Sequence, residues 1–115
     1  MQVRIEHAET GITVLHLSEA LEMSNVATFR QTLQAEVERA RGGIVLQLAE
    51  VKFIDSSGIA VLIEGLRWSR ERSVPYVLTH LTSDVRMVIE LARLDNFFTI
   101  ADSLETALAQ IAGAS

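Results

Sequence analysis

At 115 residues, 49% of them apolar and with no internal break in composition, the chain is long enough for one buried core and too apolar to be disordered. A formal charge of −5 and a pI near 5.1 argue against a nucleic-acid surface, because phosphate backbones demand a basic patch and no run of Lys or Arg occurs. The absence of cysteine excludes a disulfide framework and a thiolate metal site, and His7, His16 and His80 are too scattered in sequence to suggest a metal cluster.

The stretch from Met1 to His7 alternates apolar and polar residues, which suits a strand and lacks the basic-then-apolar profile of a secretory leader. Since the longest apolar runs are too short to span a bilayer, a single soluble, cytoplasmic domain over 1–115 is expected. After a turn at Glu9-Thr10-Gly11, the stretch from Ile12 to Leu17 alternates less strictly, and the two runs together predict a β-hairpin. Ser24 or Asn25 then caps a helix with Val26, Phe29, Leu33 and Val37 at helical spacing, and Gly42-Gly43 is expected to stop it. The continuous apolar run from Ile44 to Leu48 predicts a strand covered on both faces, in the middle of a sheet.

A second strand-like run, Val51 to Ile54, leads into Asp55-Ser56-Ser57-Gly58 and then a helix with Ile59, Leu62, Ile63 and Leu66 on one face, ending near 69–73. Pro75 opens the strand Tyr76 to Thr79, where a missing N–H does least harm. Ser83 or Asp84 is expected to cap a third helix with Val85, Val88, Ile89 and Ala92 inward. Phe97, Phe98 and Ile100 predict a last short strand, and Asp102 or Ser103 the cap of a final helix with Leu104, Leu108 and Ile111 inward; Asp102 and Glu105 have capping-box spacing. Strands alternating with helices imply parallel neighbours and right-handed crossovers, so the fold class is α/β: a mixed, mostly parallel sheet of about five strands with about four helices.

The candidate site is Asp55-Ser56-Ser57-Gly58. A helix N-terminus offers unpaired N–H donors and the positive end of the dipole, and so tolerates an anion such as a phosphate; a serine there is a candidate phosphorylation switch. Helix capping by Asp55, Ser56 or Ser57 explains the same residue types. Trp68 lies off the apolar face of its helix, packed at the flank or presented to a partner, while His16 and His80 read as residues at the core edge.

The tetrapeptide, with Phe53-Ile54 before it and Ile59-Ala60-Val61-Leu62 after it, resembles the phosphoacceptor segment of bacterial anti-sigma factor antagonists, single-domain proteins of the STAS type. Leu21-Glu22-Met23-Ser24-Asn25, the Gly42-Gly43 break and the closing segments Leu94 to Phe98 and Ser103 to Leu108 extend the resemblance over nearly the whole chain. It implies Ser56 as phosphoacceptor, Ser57 as next candidate, and Asp55, Ser57 and Gly58 shaping the turn. It also implies partner contacts through Glu22, Met23, Ser24, Asn25 and Ile59. The implied partners are an anti-sigma factor that is itself an ATP-dependent serine kinase and a metal-dependent serine phosphatase, with no cofactor, metal or membrane insertion, and with a monomer or weak homodimer as the working state. The family often has Gly where Glu19 stands and Asp where Glu22 stands, which bears on partner identity rather than on the phosphosite.

Two other readings compete. A serine hydrolase elbow requires Gly two residues before the nucleophile, where Ile54 stands, and no His is recognisably placed as base. A non-switching scaffold subunit of a signalling complex or lipid transporter would use the same fold without modifying the serine. No Gly-rich phosphate loop of the Walker type supports nucleotide binding.

Overall fold

The computed structural model describes residues 2–8 and 10–113. Strands β1 (Val3–His7), β2 (Ile12–Leu17), β3 (Gly43–Gln47), β4 (Tyr76–Thr79) and β5 (Thr99–Ala101) alternate, after the initial hairpin, with helices α1 (Val26–Arg39), α2 (Ser56–Glu71) and α3 (Ser83–Leu91), and α4 (Leu104–Gly113) closes the chain. The strands form one sheet in sequence order, β1 antiparallel to β2 and the others parallel. That is the mixed, mostly parallel sheet expected from the alternation of elements.

Consecutive order with right-handed crossovers sends every connecting helix to the same face. Accordingly Phe29, Leu33 and Val37 of α1, Leu62 and Leu66 of α2, and Val85 and Ile89 of α3 pack on Leu15, Leu17, Ile44, Leu46, Tyr76 and Leu78. The alternate residues of the same strands, Ile12, Val14, Val45 and Val77, meet Ala107 and Ile111 of α4 on the other face. A period of two along each strand therefore divides the apolar residues between two cores, which is why the central strands read as continuous apolar runs.

Helix α2 lies against β4 because Gly65 lets it. The Tyr76 hydroxyl donates to the Leu62 carbonyl at 3.0 Å, and a Cβ on Gly65 would lie 2.5 Å from that hydroxyl oxygen. The helix gives up about 1 kcal/mol of propensity at this glycine and gains a buried, hydrogen-bonded phenol, whose burial raises its pKa far above the usual value.

Several local expectations are corrected. Helix α1 ends at Arg39, with Ala40 already extended, so Gly42-Gly43 belong to the entry of β3 rather than to the helix stop. Val51 to Ile54 is not a strand of the sheet; its one ladder contact is an isolated parallel bridge between Ile54 and Leu21. Thr82, not Ser83 or Asp84, caps α3, its Oγ1 accepting from the Val85 N–H at 3.4 Å, and Ala92 is exposed at the C-cap. Phe97 and Phe98 precede β5 in a turn closed by their N–H groups on the Leu94 carbonyl. Before α4, by contrast, one of the two expected caps is found: Ser103 accepts from the Thr106 N–H at 3.1 Å, while Asp102 faces Arg86 at 3.9 Å.

In the turn of the first hairpin, Glu9 lies outside the described residues; the Gly11 N–H donates to the Ala8 carbonyl and the Ala8 N–H to the Ile12 carbonyl. Trp68 is half-buried against the core, with the Arg30 guanidinium over its ring at 5.8 Å, and Arg30 forks onto Glu64 to tie α1 to α2. Neither histidine lies on a fully apolar surface: His16 bonds Glu6 at 2.8 Å, and His80, just past β4, accepts from the Leu104 N–H at 3.3 Å.

Candidate functional site

The site forms where two loops at the C-terminal ends of the parallel strands run side by side. The Leu21 N–H donates to the Phe53 carbonyl and the Asp55 N–H to the Leu21 carbonyl, both at 3.0 Å. This two-bond rung brings the turn before α1 against the turn before α2, although 34 positions separate Leu21 from Asp55. Leu21 is fully buried, and its backbone is thereby saturated from the far loop.

Asp55 completes the junction with its side chain. It stands in extended conformation at the N-cap of α2; Oδ1 accepts from the Gly58 N–H at 3.0 Å and Oδ2 from the Met23 N–H at 3.0 Å. One carboxylate therefore caps a helix and clamps the neighbouring turn. The Gly58 N–H, foremost, holds its pKa below the ordinary 3.8; partial desolvation opposes, and the Met23 and Ser57 N–H groups add to the lowering. A carboxylate with a depressed folded pKa contributes stability that is complete above its unfolded pKa and is lost as pH falls through the folded one. Asp55→Asn is thus expected to melt below the wild type near neutral pH, with the gap closing on the acid side of 3.8. Paired melting curves from about pH 7 to about pH 3 check this; a gap constant with pH would remove the carboxylate from the account.

Gly58 is buried at the point of closest approach, where a Cβ would lie 2.7 Å from both Ile54 Cγ1 and the Leu21 carbonyl oxygen and 2.8 Å from Leu21 Cβ. Its role is room, not backbone freedom. Ser56, the first residue of α2, is exposed, and its hydroxyl makes no hydrogen bond among the described residues; Ser57 is half-buried behind it. Capping and an available serine hydroxyl thus fall to different residues, Asp55 and Ser56. The helix N-terminus is also less open to an anion than the sequence suggests, because the Asp55 carboxylate already holds the Gly58 N–H.

On the facing turn, Met23 is 77% exposed, Ser24 is exposed and Glu22 half-buried. Asn25 occupies the N-cap position of α1 without a side-chain cap bond. Its Oδ1 instead accepts from the Glu22 N–H at 3.1 Å and its Nδ2 donates to the Ala20 carbonyl at 2.6 Å, which fixes the shape of the turn. Ile59 is corrected as a contact residue: it points into the core from the first turn of α2, leaving almost no surface to a partner. Phe53, by contrast, is 53% exposed on the loop that leads to Ser56. No sequence signal marks it, because a strand over Val51 to Ile54 would have put Phe53 on the same face as buried Val51.

The STAS domain family matches residues 4–107. The chain is 27% identical over 99 residues to BtrV of Bordetella bronchiseptica, assigned as an anti-sigma factor antagonist, covering 86% of this chain and 85% of that one. In fold it is similar to an anti-sigma factor antagonist from Mycobacterium paratuberculosis, with a TM-score of 0.87, 22% identity and coverage of 96% and 92%. It is also similar to the antagonist SpoIIAA, whose unphosphorylated form gives a TM-score of 0.81 at 20% identity over 97% of both chains. The phosphorylated form of SpoIIAA, from Bacillus, gives 0.73 at 19% identity, covering 96% of this chain and 99% of that one. A match over nearly the full sheet, with the strand order and loop junction described above, makes this chain a member of the STAS domain family.

Proposed function

We propose that this protein is an anti-sigma factor antagonist whose partner binding is switched by phosphorylation of Ser56. The observation that carries the reading is the exposed Ser56 hydroxyl at the first turn of α2, clamped beside the exposed Met23-Ser24 turn by Asp55. Support comes from relatives named as antagonists, one of them solved in a phosphorylated form. In this reading the unmodified protein binds an anti-sigma factor that is also an ATP-binding serine kinase, and a sigma factor is released. Phosphorylation ends the interaction, and a metal-dependent phosphatase restores it.

The contact surface is Met23, Ser24, Glu22 and Phe53 around Ser56, with Asn25, Asp55, Ser57 and Gly58 holding its shape. The chain serves as substrate and binding module. The base for phosphoryl transfer belongs to the kinase, since the one carboxylate in this segment is spent on two backbone N–H groups.

A phosphate on Ser56 adds about −1.5 to −2 charge beside Asp55. The helix dipole favours it by only about 0.3–1 kcal/mol, and Asp55 opposes it. The group therefore stays outward in solvent and acts by repelling the partner, leaving the domain folded.

The test is mass spectrometry of the protein isolated from its host, wild type beside Ser56→Ala, with partner binding measured for both and for Ser56→Asp. Phosphate on Ser56 is expected, with binding kept by Ser56→Ala and weakened at least about a hundredfold by Ser56→Asp. An unmodified serine and a partner indifferent to Ser56→Asp would sink the switch and favour the scaffold role.

A further inference from the structure

Strand β1 is one edge of the sheet, and among the described residues it pairs with β2 alone. The other edge, β5, is three residues long and offers little to a partner strand, whereas β1 runs for five. Which backbone groups β1 leaves open follows from the hairpin. The Ala8 N–H donates to the Ile12 carbonyl at 2.9 Å, so Ala8 faces β2. Bonded and non-bonded pairs alternate along an antiparallel ladder, so Glu6 opposite Val14 and Arg4 opposite His16 also direct their N–H and C=O groups at β2. Val3, Ile5 and His7 therefore point theirs outward, away from the sheet.

The side chains divide the same strand between its two faces. Val3 and Ile5 lie half-buried on the helix side, packed against the core. Arg4 and Glu6 stand exposed on the opposite side, with the Glu6 carboxylate 3.8 Å from the Arg4 guanidinium and 2.8 Å from His16 Nε2. Charges on an edge strand ordinarily deter pairing. Here they deter all but one register of a second, antiparallel β1. Joining outward groups to outward groups leaves three registers with substantial overlap. Val3 opposite Ile5 sets Arg4 against the second copy's Arg4, and Ile5 opposite His7 sets Glu6 against Glu6. With Ile5 opposite Ile5, each Arg4 faces a Glu6, in the non-bonded positions where side chains come closest. The two arginines and two glutamates then alternate in sign about a two-fold axis.

We propose that two copies of this chain pair through β1 in this register, joining their five-stranded sheets into one of ten strands. Ile5 meets Ile5 on the helix side and adds apolar contact at the axis. Because the second β1 runs opposite to the first, the two Ser56 sites stand at opposite ends of the joined sheet, and each stays open to its own partner. The pairing rests on β1 and does not depend on the switch. With five residues a side the contact is small, so a dissociation constant in roughly the micromolar-to-millimolar range is expected.

The test is sedimentation velocity of the full chain from about 10 µM to about 1 mM, for wild type, Arg4→Glu, Glu6→Arg and the exchange Arg4→Glu/Glu6→Arg. Wild type is expected to dimerise, each single variant to associate about tenfold more weakly because like charges meet twice, and the exchange to recover. Glu6→Arg is the decisive arm: it moves the net charge of −5 toward zero, so general repulsion between copies falls while the local clash appears. Arg4 and Glu6 are both exposed, and melting curves confirm that the variants fold. Where one does not, Val3→Pro carries the same expectation of weakened pairing, since it removes an outward N–H that the β1–β2 ladder does not use. A wild type that stays monomeric at about 1 mM, a dimer indifferent to both single substitutions, or an exchange no better than the single variants overturns the proposal.

Discussion

Gly58→Ala is expected to destabilise the fold by about 1–3 kcal/mol, the range for forcing a methyl group into a closed site. One of the atoms it meets is the Leu21 carbonyl oxygen, which is fixed by the Asp55 N–H and has no rotamer to escape into. The start of α2 must therefore move away from the Leu21 loop, and the Asp55 bond to the Met23 N–H stretches with it. Partner binding should fall together with stability while Ser56 stays chemically intact. Denaturant unfolding and partner affinity of Gly58→Ala check both parts. An unchanged midpoint would mean that the two loops are not in the contact described.

Leu21→Ala is expected to cost more, about 2–5 kcal/mol, as for a fully buried leucine that leaves a cavity behind. At roughly 3–6 °C per kcal/mol for a chain of this size, the melting temperature should drop by about 6 °C or more. Leu21 is 0% exposed and packs into the core shared by all three connecting helices, so no single loop can collapse into the space. Its backbone bonds to Phe53 and Asp55 survive the substitution in kind but lose the side chain that anchors them. Because alanine keeps the Cβ and carbonyl that a methyl at 58 would meet, Leu21→Ala should not rescue Gly58→Ala. A double-mutant cycle measures that coupling. A loss near zero for Leu21→Ala would contradict the packing.

The two substitutions act on the same rung from opposite sides, and both leave the serine untouched. They separate the shape of the site from its chemistry. If Ser56→Asp abolishes binding in a stable protein while Gly58→Ala reduces binding and stability together, the hydroxyl and its frame have distinct roles. If both variants bind normally, the surface around Ser56 is not the interface.

The sheet was legible in the sequence because its signal is local and periodic. Alternation over Val3 to His7, the β-branched run from Ile44 and the helical spacing of Phe29, Leu33 and Val37 each report which side of an element is buried. Connections of helical length between parallel strands then leave few topologies. Ser56 was legible for a similar reason, since hydroxyl and carboxyl residues directly before an apolar helix mark its N-terminus. The caps were harder: Thr82, Ser83 and Asp84 are all residue types that cap helices, and the choice of Thr82 goes with its hydroxyl also donating to the Val51 carbonyl at 2.7 Å.

What the sequence alone determined, then, is the order of the sheet strands and helices, the coverage of the central strand on both faces and the serine at the start of α2. Only the tertiary structure decided that Val51 to Ile54 leaves the sheet, that Ile59 turns inward while Phe53 turns out, and that one carboxylate holds both turns. The physical reason is common to these cases. Periodicity encodes the burial of a residue within its own element, whereas loop conformation depends on hydrogen bonds and proximities between segments tens of positions apart, which no local pattern carries.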